Sequence, residues 1–240
     1  MKTFKSYIKH VVEETNPSSL RHGEPSAKEH RAMQGSHDLF NVDSNKKLIT
    51  DPPDNTSDET KAEIIELKDR MELGKNIEET FEKWDADIPK PFVDYLEENN
   101  LRYDKEMLDK IIEQSVNVIL RQKYIFNRPR PARLAPLIDM KLVPITSKTA
   151  TSPAYPSGHA AQAKLLALYL AKIHPDHSER FFEMARECGE SRLDAGVHYP
   201  SDYRAGVKLA NKLFDSMLIN EKKKMKYSDL PAHVGGMEGY

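Results

Sequence analysis

Apolar residues recur at helical steps along most of the chain and nowhere alternate with polar ones over a useful length, so the pattern predicts helices and little β structure. Ser57 reads as an N-cap ahead of Ile64, Ile65, Leu67 and Met71, with Gly74 as the stop. Ile77 to Trp84 is a second helix, broken by Pro89 and Pro91, and Pro91 to Glu98 is a short third. The clearest pattern runs from Asp104 to Tyr124, where Met107, Ile111, Ile112, Val116, Ile119 and Leu120 form one apolar stripe. Ser157 to Ile173, Ser178 to Asp194 and Pro200 to Leu218 complete the set. No repeat of solenoid period occurs. The expected fold class is all-α, a multi-helix bundle with a single core.

The ends of the chain have a different texture. Met1 to Glu14 reads as a short amphipathic helix, with Phe4, Ile8, Val11 and Val12 on one face. Asn16 to Thr60 is rich in Pro, Ser, Asn, Asp and Gly, which predicts an extended or partly disordered arm. The tail from Glu221 is Lys-rich and then Gly-rich, and is expected to be loose. The expected organisation is an arm over 1–56, partly disordered or wrapping, a helical domain over 57–220 and a tail over 221–240.

Composition narrows the classes of function. The 240 residues include 36 Lys plus Arg against 38 Asp plus Glu, so bulk charge does not point to nucleic acid. The longest apolar window, Ala160 to Ile173, contains Gln162, Lys164 and Lys172 and falls short of the roughly 20 apolar residues of a membrane span. A single cysteine, Cys188, excludes an intrachain disulfide and a Cys-cluster metal site. No apolar signal-peptide region is read near Met1, so a cytoplasmic protein is expected.

Three short stretches carry chemistry. The first runs from Lys123 to Pro131, where a long helix ends in a proline-stiffened loop presenting Arg128 and Arg130, a suitable arrangement for bidentate contact to phosphate. The second is Tyr155 to His159, immediately before a helix. Ser157 is a suitable N-cap, Gly158 lets a ligand approach the backbone, and free helix-start N–H groups favour an anion. His159 sits in that first turn, in reach of a departing oxygen. In the third, Ser191 to Asp202, Pro200 opens a helix, which sets Asp202 in its first turn and His198 just ahead of it. Asp202 can then accept from one ring nitrogen of His198 and leave the other bare. Cations, helix-start amides, two histidines and a carboxylate meet the needs of phosphoryl transfer without a metal.

The ordered set Lys-x6-Arg-Pro, Pro-Ser-Gly-His and Ser-Arg-x5-His-x3-Asp resembles the signature of the type 2 phosphatidic acid phosphatase superfamily. That superfamily includes class A non-specific acid phosphatases, membrane lipid phosphatases and vanadium-dependent haloperoxidases. All eleven specified positions are present: Lys123, Arg130, Pro131, Pro156, Ser157, Gly158, His159, Ser191, Arg192, His198 and Asp202. The resemblance implies the helical fold of that superfamily. It also implies His198 as nucleophile forming a phosphohistidine, Asp202 as its orienting partner, and His159 as general acid and then base. Lys123, Arg130, Ser157, Gly158 and Arg192 are implied as the phosphate cradle.

Only 31 residues, Ala160 to Glu190, separate the second motif from the third, and that compactness is similar to the class A acid phosphatases. Those enzymes are typically periplasmic, whereas no signal segment is read here. The expected function is metal-independent hydrolysis of small phosphomonoesters, with no cofactor and no membrane or nucleic-acid partner. Vanadate is expected in the phosphate site as an inhibitor. The alternatives are a vanadium-dependent haloperoxidase, with vanadate as cofactor in the same site, and a non-catalytic phosphate-binding module. The resemblance also suggests a dimer or larger assembly, with the arm available to wrap a neighbour.

Overall fold

The computed structural model describes residues 16–228, with side chains to residue 220. The helix expected over Met1 to Glu14 and the end of the tail, 229–240, lie outside the described residues. In chain order the α-helices are α1 (Ala27–Met33), α2 (Asp58–Leu73), α3 (Ile77–Ala86), α4 (Pro89–Glu98), α5 (Lys105–Phe126), α6 (Pro131–Leu134), α7 (Gly158–Ile173), α8 (Ser178–Asp194) and α9 (Pro200–Ser228). No strand occurs among the described residues, and the chain is an all-α bundle. No helix among them is long and apolar enough to cross a membrane.

Local chemistry sets the helix ends. Ser57 Oγ accepts from Thr60 N at 3.2 Å to start α2, and the Asp104 carboxylate accepts from Met107 N at 3.0 Å to start α5. Gly74 ends α2 at φ −67°, by leaving the helix in an extended conformation rather than by a left-handed cap. Pro89 and Pro91 do not break a helix. They lie in the first turn of α4, where the missing N–H groups have no partner to lose, so α4 begins two residues earlier than the pattern predicts. The last helix runs past Leu218 to Ser228.

The central element is α7, which packs against α5, α8 and α9. It buries Leu165, Leu166 and Leu170 against Ile111 and Val118 of α5, Phe181 and Met184 of α8, and Leu209 and Leu213 of α9. Gly206 lets α9 lie against the start of α7, because a Cβ there would fall 2.5 Å from the Ser157 carbonyl oxygen. The apolar interior is not one undivided core. A second cluster gathers Leu20, Ile64, Leu67, Leu134, Leu193 and Tyr199, and a third gathers Phe81, Ala195 and Val197.

The stripe read on α5 divides between two tasks. Ile111 and Ile119 enter the main core with Leu108 and Val118. Ile112, Val116 and Leu120, with the edge of Ile119, line a cavity. Another face of α5 is polar yet buried, because it holds the N-terminal segment by its backbone. Gln114 Oε1 accepts from Leu39 N at 2.8 Å, Asn117 Nδ2 donates to Gly35 O at 2.8 Å, and Gln122 Oε1 accepts from Leu48 N at 2.8 Å. Just past the helix, the Asn127 side chain exchanges two 3.1 Å hydrogen bonds with the backbone of Gly23.

The segment expected as an extended arm therefore wraps this chain's own bundle. It contains α1, which starts from a capping box between Ser26 and Glu29, and it contributes Leu39 and Phe40 to the main core. Phe40→Ala is expected to destabilise the protein by about 3–5 kcal/mol, as for an aromatic in an integral core. Denaturant unfolding checks this, and a loss below about 1 kcal/mol is the result for a segment lying loosely on the surface.

Candidate active site

Three helix ends converge on one cavity of about 510 Å³. Lys123 comes from the last turn of α5, where Asn127 turns the chain with φ 53°. Arg130 follows, just ahead of α6, and its Nε and Nη1 donate to Ser152 O at 2.9 Å and Val197 O at 2.8 Å. Gly158 and His159 open α7, capped by Ser157 Oγ, which accepts from Ala160 N. Arg192 lies near the end of α8. That helix closes in a Schellman motif: Gly196, at φ 70°, donates to Leu193 O, and Val197 N donates to Arg192 O. The reversal delivers His198 to the site, and Pro200 starts α9 with Asp202 in its first turn.

Six of the eight predicted site residues line the cavity: Lys123, Arg130, Gly158, His159, Arg192 and His198. The other two are buried and do not line it. Asp202 holds His198, and Ser157 donates its backbone N–H to Asp202 O at 2.9 Å. A Cβ on Gly158 would meet Ile119 and Lys123 at ordinary distances of 3.6 and 3.7 Å, so packing does not demand glycine there. A methyl group at that point would fill space beside the Lys123 stem.

The hydrogen bonds fix the state of His198. Its Nε2 lies 3.0 Å from Arg130 Nη1, and its Nδ1 lies 3.1 Å from Asp202 Oδ2. Guanidinium only donates, so Nε2 is the acceptor and the proton sits on Nδ1, donated to Asp202. Burial, reinforced by Arg130, Lys123, Arg192 and His159, holds His198 well below the usual histidine range. The ring is neutral, with its lone pair on Nε2.

The cations are short of anions. Burial and then Arg130 push the Lys123 ammonium well below the usual lysine range, and its Nζ donates to Pro153 O at 2.6 Å. Burial, opposed by Asp202 and aided by Arg192, pushes Arg130 down to about 10. Arg192 stacks on Phe81 with its guanidinium carbon 4.1 Å from the ring centre. Its Nη2 donates to Asp85 Oδ1 at 2.8 Å, while Nε and Nη1 are buried without an acceptor among the described residues. Unspent donors and mutually repelling cations in one cavity make a site that an oxyanion completes.

Arg128 does not share that task. It is buried away from the cavity, donates to Asp202 Oδ1 at 2.8 Å and Glu63 Oε2 at 3.1 Å, and stacks on Tyr199. The loop presents one arginine to the site and spends the other on structure. Two acidic residues were missed by the motif reading. Glu63 of α2 anchors Arg128 and Ser201, and Asp85 of α3 anchors Arg192 and lines the cavity. Neither lies near the motifs in sequence, so no local spacing points to them. Phe126 and Tyr155 also flank the motifs but pack edge to face on each other, with centroids 5.0 Å apart, and do not line the cavity.

The fold and the site together define a helical protein with a cavity lined by three basic side chains and two histidines. Residues 110–211 match the model of the PAP2 superfamily, a span that contains every predicted site residue. Over 52 residues the chain is 42% identical to a non-specific acid phosphatase of Salmonella typhi, a match covering 22% of this chain and 21% of that protein. Over 109 residues it is 29% identical to an acid phosphatase of Zymomonas mobilis, covering 44% and 39%. The matched part is thus well under half the length of these curated relatives. Among solved structures, a bacterial vanadium-dependent iodoperoxidase shares the fold, with a TM-score of 0.57 over 74% of this chain and 53% of that one, at 18% identity.

The electrostatics predict how stability responds to pH and to anions. Burial, then Arg192, holds His159 well below 6.5, as burial and Arg130 hold His198. The unfolded chain takes up those protons below 6.5 and the folded protein does not. The stability the two histidines contribute is therefore present above pH 6.5 and is lost as pH falls through that value. The melting temperature is expected to fall between about pH 7.5 and about pH 5. Inorganic phosphate is expected to raise it, by adding about 2.7 kcal/mol of stability at a hundredfold excess over Kd. A melting temperature indifferent to phosphate contradicts an oxyanion cradle.

Proposed function

We propose that the protein hydrolyses small phosphomonoesters through a phosphohistidine on His198. The observation that carries this reading is the unprotonated Nε2 of His198, which accepts from Arg130 Nη1 at 3.0 Å, in a cavity lined also by Lys123, Arg130 and Arg192 and by a second histidine, His159. Binding alone needs the cations and amides. It does not need a neutral histidine held by a carboxylate with its unprotonated nitrogen at the cavity, which argues against a non-catalytic phosphate-binding module.

In the proposed reaction, the three cations and the Gly158 N–H hold the non-bridging oxygens. His198 Nε2 attacks phosphorus in line as the ester P–O bond breaks. His159 gives its proton to the leaving oxygen. Asp202 accepts from Nδ1–H throughout and stabilises the charge that forms on the ring. In the second half, His159 takes a proton from water, the water oxygen attacks phosphorus, and the P–N bond breaks to return His198 and release phosphate. No metal enters either half.

Hydrolysis of p-nitrophenyl phosphate is expected to survive EDTA and to be blocked by vanadate. His198→Ala is expected to lower kcat by at least about a thousandfold. Full activity in that variant, or loss of activity with EDTA, overturns the proposal.

A second reading is a vanadium-dependent haloperoxidase. It is supported by the fold shared with the iodoperoxidase and by donors that fit vanadate as they fit phosphate, notably the unspent Nε and Nη1 of Arg192. Bound vanadate would supply activation of peroxide. The residues that would hold it are Lys123, Arg130, Arg192, Gly158 and His198. Halide oxidation by peroxide after vanadate loading, in a protein that hydrolyses no phosphate ester, selects this reading.

A further inference from the structure

His159 carries the proton of the proposed reaction, yet its surroundings resist that proton. Burial opposes it most, and Arg192, Lys123 and Arg130 add to the opposition. Asp85, in the last turn of α3, favours it: its Oδ1 stands 3.9 Å from His159 Nε2. That is an ion-pair distance and too long for a hydrogen bond. The carboxylate is held there by other partners. The same oxygen accepts from Arg192 Nη2 at 2.8 Å, Ser147 Oγ at 3.1 Å and Thr149 Oγ1 at 2.5 Å. Asp85, Thr149 and His159 all line the cavity.

The two histidines therefore meet their carboxylates differently. Asp202 bonds to Nδ1 of His198 and leaves Nε2 unprotonated, which suits a nucleophile. Asp85 stands beside Nε2 of His159, the ring nitrogen farthest from the backbone, and favours a charged ring. We propose that Asp85 is a positioning residue for proton transfer, a carboxylate fixed by Arg192, Ser147 and Thr149 that favours the charged ring of His159 as the proton passes to the leaving oxygen. The proposal rests on the phosphatase reading. As the ester bond breaks, the electron pair leaves with the oxygen and the His159 proton joins it. When water later attacks phosphorus, His159 regains a proton beside the same carboxylate.

A proton donor matters in proportion to how poor the leaving group is, which gives a test that a merely structural role does not move. kcat/KM reports the step in which the leaving oxygen departs. The measurement is the ratio of kcat/KM on p-nitrophenyl phosphate to that on n-butyl phosphate, for wild type, Asp85→Asn, Asp85→Glu and His159→Ala. Any loosening of Arg192 weakens both substrates alike and cancels in the ratio. Asp85→Asn is expected to raise the ratio about tenfold, Asp85→Glu to return it most of the way, and His159→Ala to raise it further.

An unchanged ratio in Asp85→Asn, beside a raised one in His159→Ala, overturns the proposal and leaves the phosphatase reading standing. An unchanged ratio in His159→Ala overturns His159 as the acid, and the role of Asp85 with it. If Asp85→Asn does not fold, Thr149→Val removes one anchor from the same oxygen. It is expected to raise the ratio by a smaller factor, and no rise counts against the proposal.

Discussion

The carboxylate of Asp202 is the point on which the site is built. It accepts from His198 Nδ1, from the backbone N–H of Tyr199 at 2.9 Å and from Arg128 Nη1 at 2.8 Å, and it is buried. Its own backbone oxygen accepts from Ser157 N, the residue that caps α7. One residue thus sets the ring nitrogen of His198, the start of the central helix and, through Arg128 and Glu63, the seat of α2. A buried carboxylate tolerates this only because every partner donates. Removing one partner of such a pair typically costs about 3–5 kcal/mol, since the other charge is left buried and unmatched.

Beyond that anchor the cavity is electrostatically incomplete. Lys123, Arg130 and Arg192 converge, while Asp85 is a cavity-lining carboxylate that pairs with Arg192. The remaining positive field and the orphan nitrogens of Arg192 are what a dianionic group neutralises. Opposite in character is the face that α5 gives the cavity, Ile112, Val116, Ile119 and Leu120. Charge holds the phosphoryl group in the proposed reaction, and an apolar wall is available to what it is attached to. The N-terminal segment bears on this arrangement because it is tied to α5, the helix that supplies both that wall and Lys123.

Much of the architecture was legible from periodicity and caps. Ser57, Asp104 and Ser157 mark their helices with local hydrogen bonds, and the span Ser178–Asp194 is bounded as the pattern predicts. That six of the eight candidate site residues share one cavity was legible in three short motifs that hold them. What was not legible depends on distant partners. Gln114, Asn117 and Gln122 look like a solvated helix face until the backbone of residues 35–48 is laid across them. Arg128 looks like a second phosphate ligand until Glu63, 65 positions earlier, is seen to take it. Asp85 carries no signal in its own neighbourhood. Its meaning comes from Arg192, 107 positions later.

The account turns on which nitrogen of His198 is unprotonated. Rapid quenching of the enzyme during turnover of a phosphomonoester, followed by phosphorus and nitrogen NMR of the His198 peptide, reads this directly. The account predicts phosphate on Nε2, with Nδ1 occupied by Asp202, and markedly less phosphoenzyme in Asp202→Asn. Phosphate on Nδ1, on another residue, or no phosphoenzyme during active turnover contradicts it.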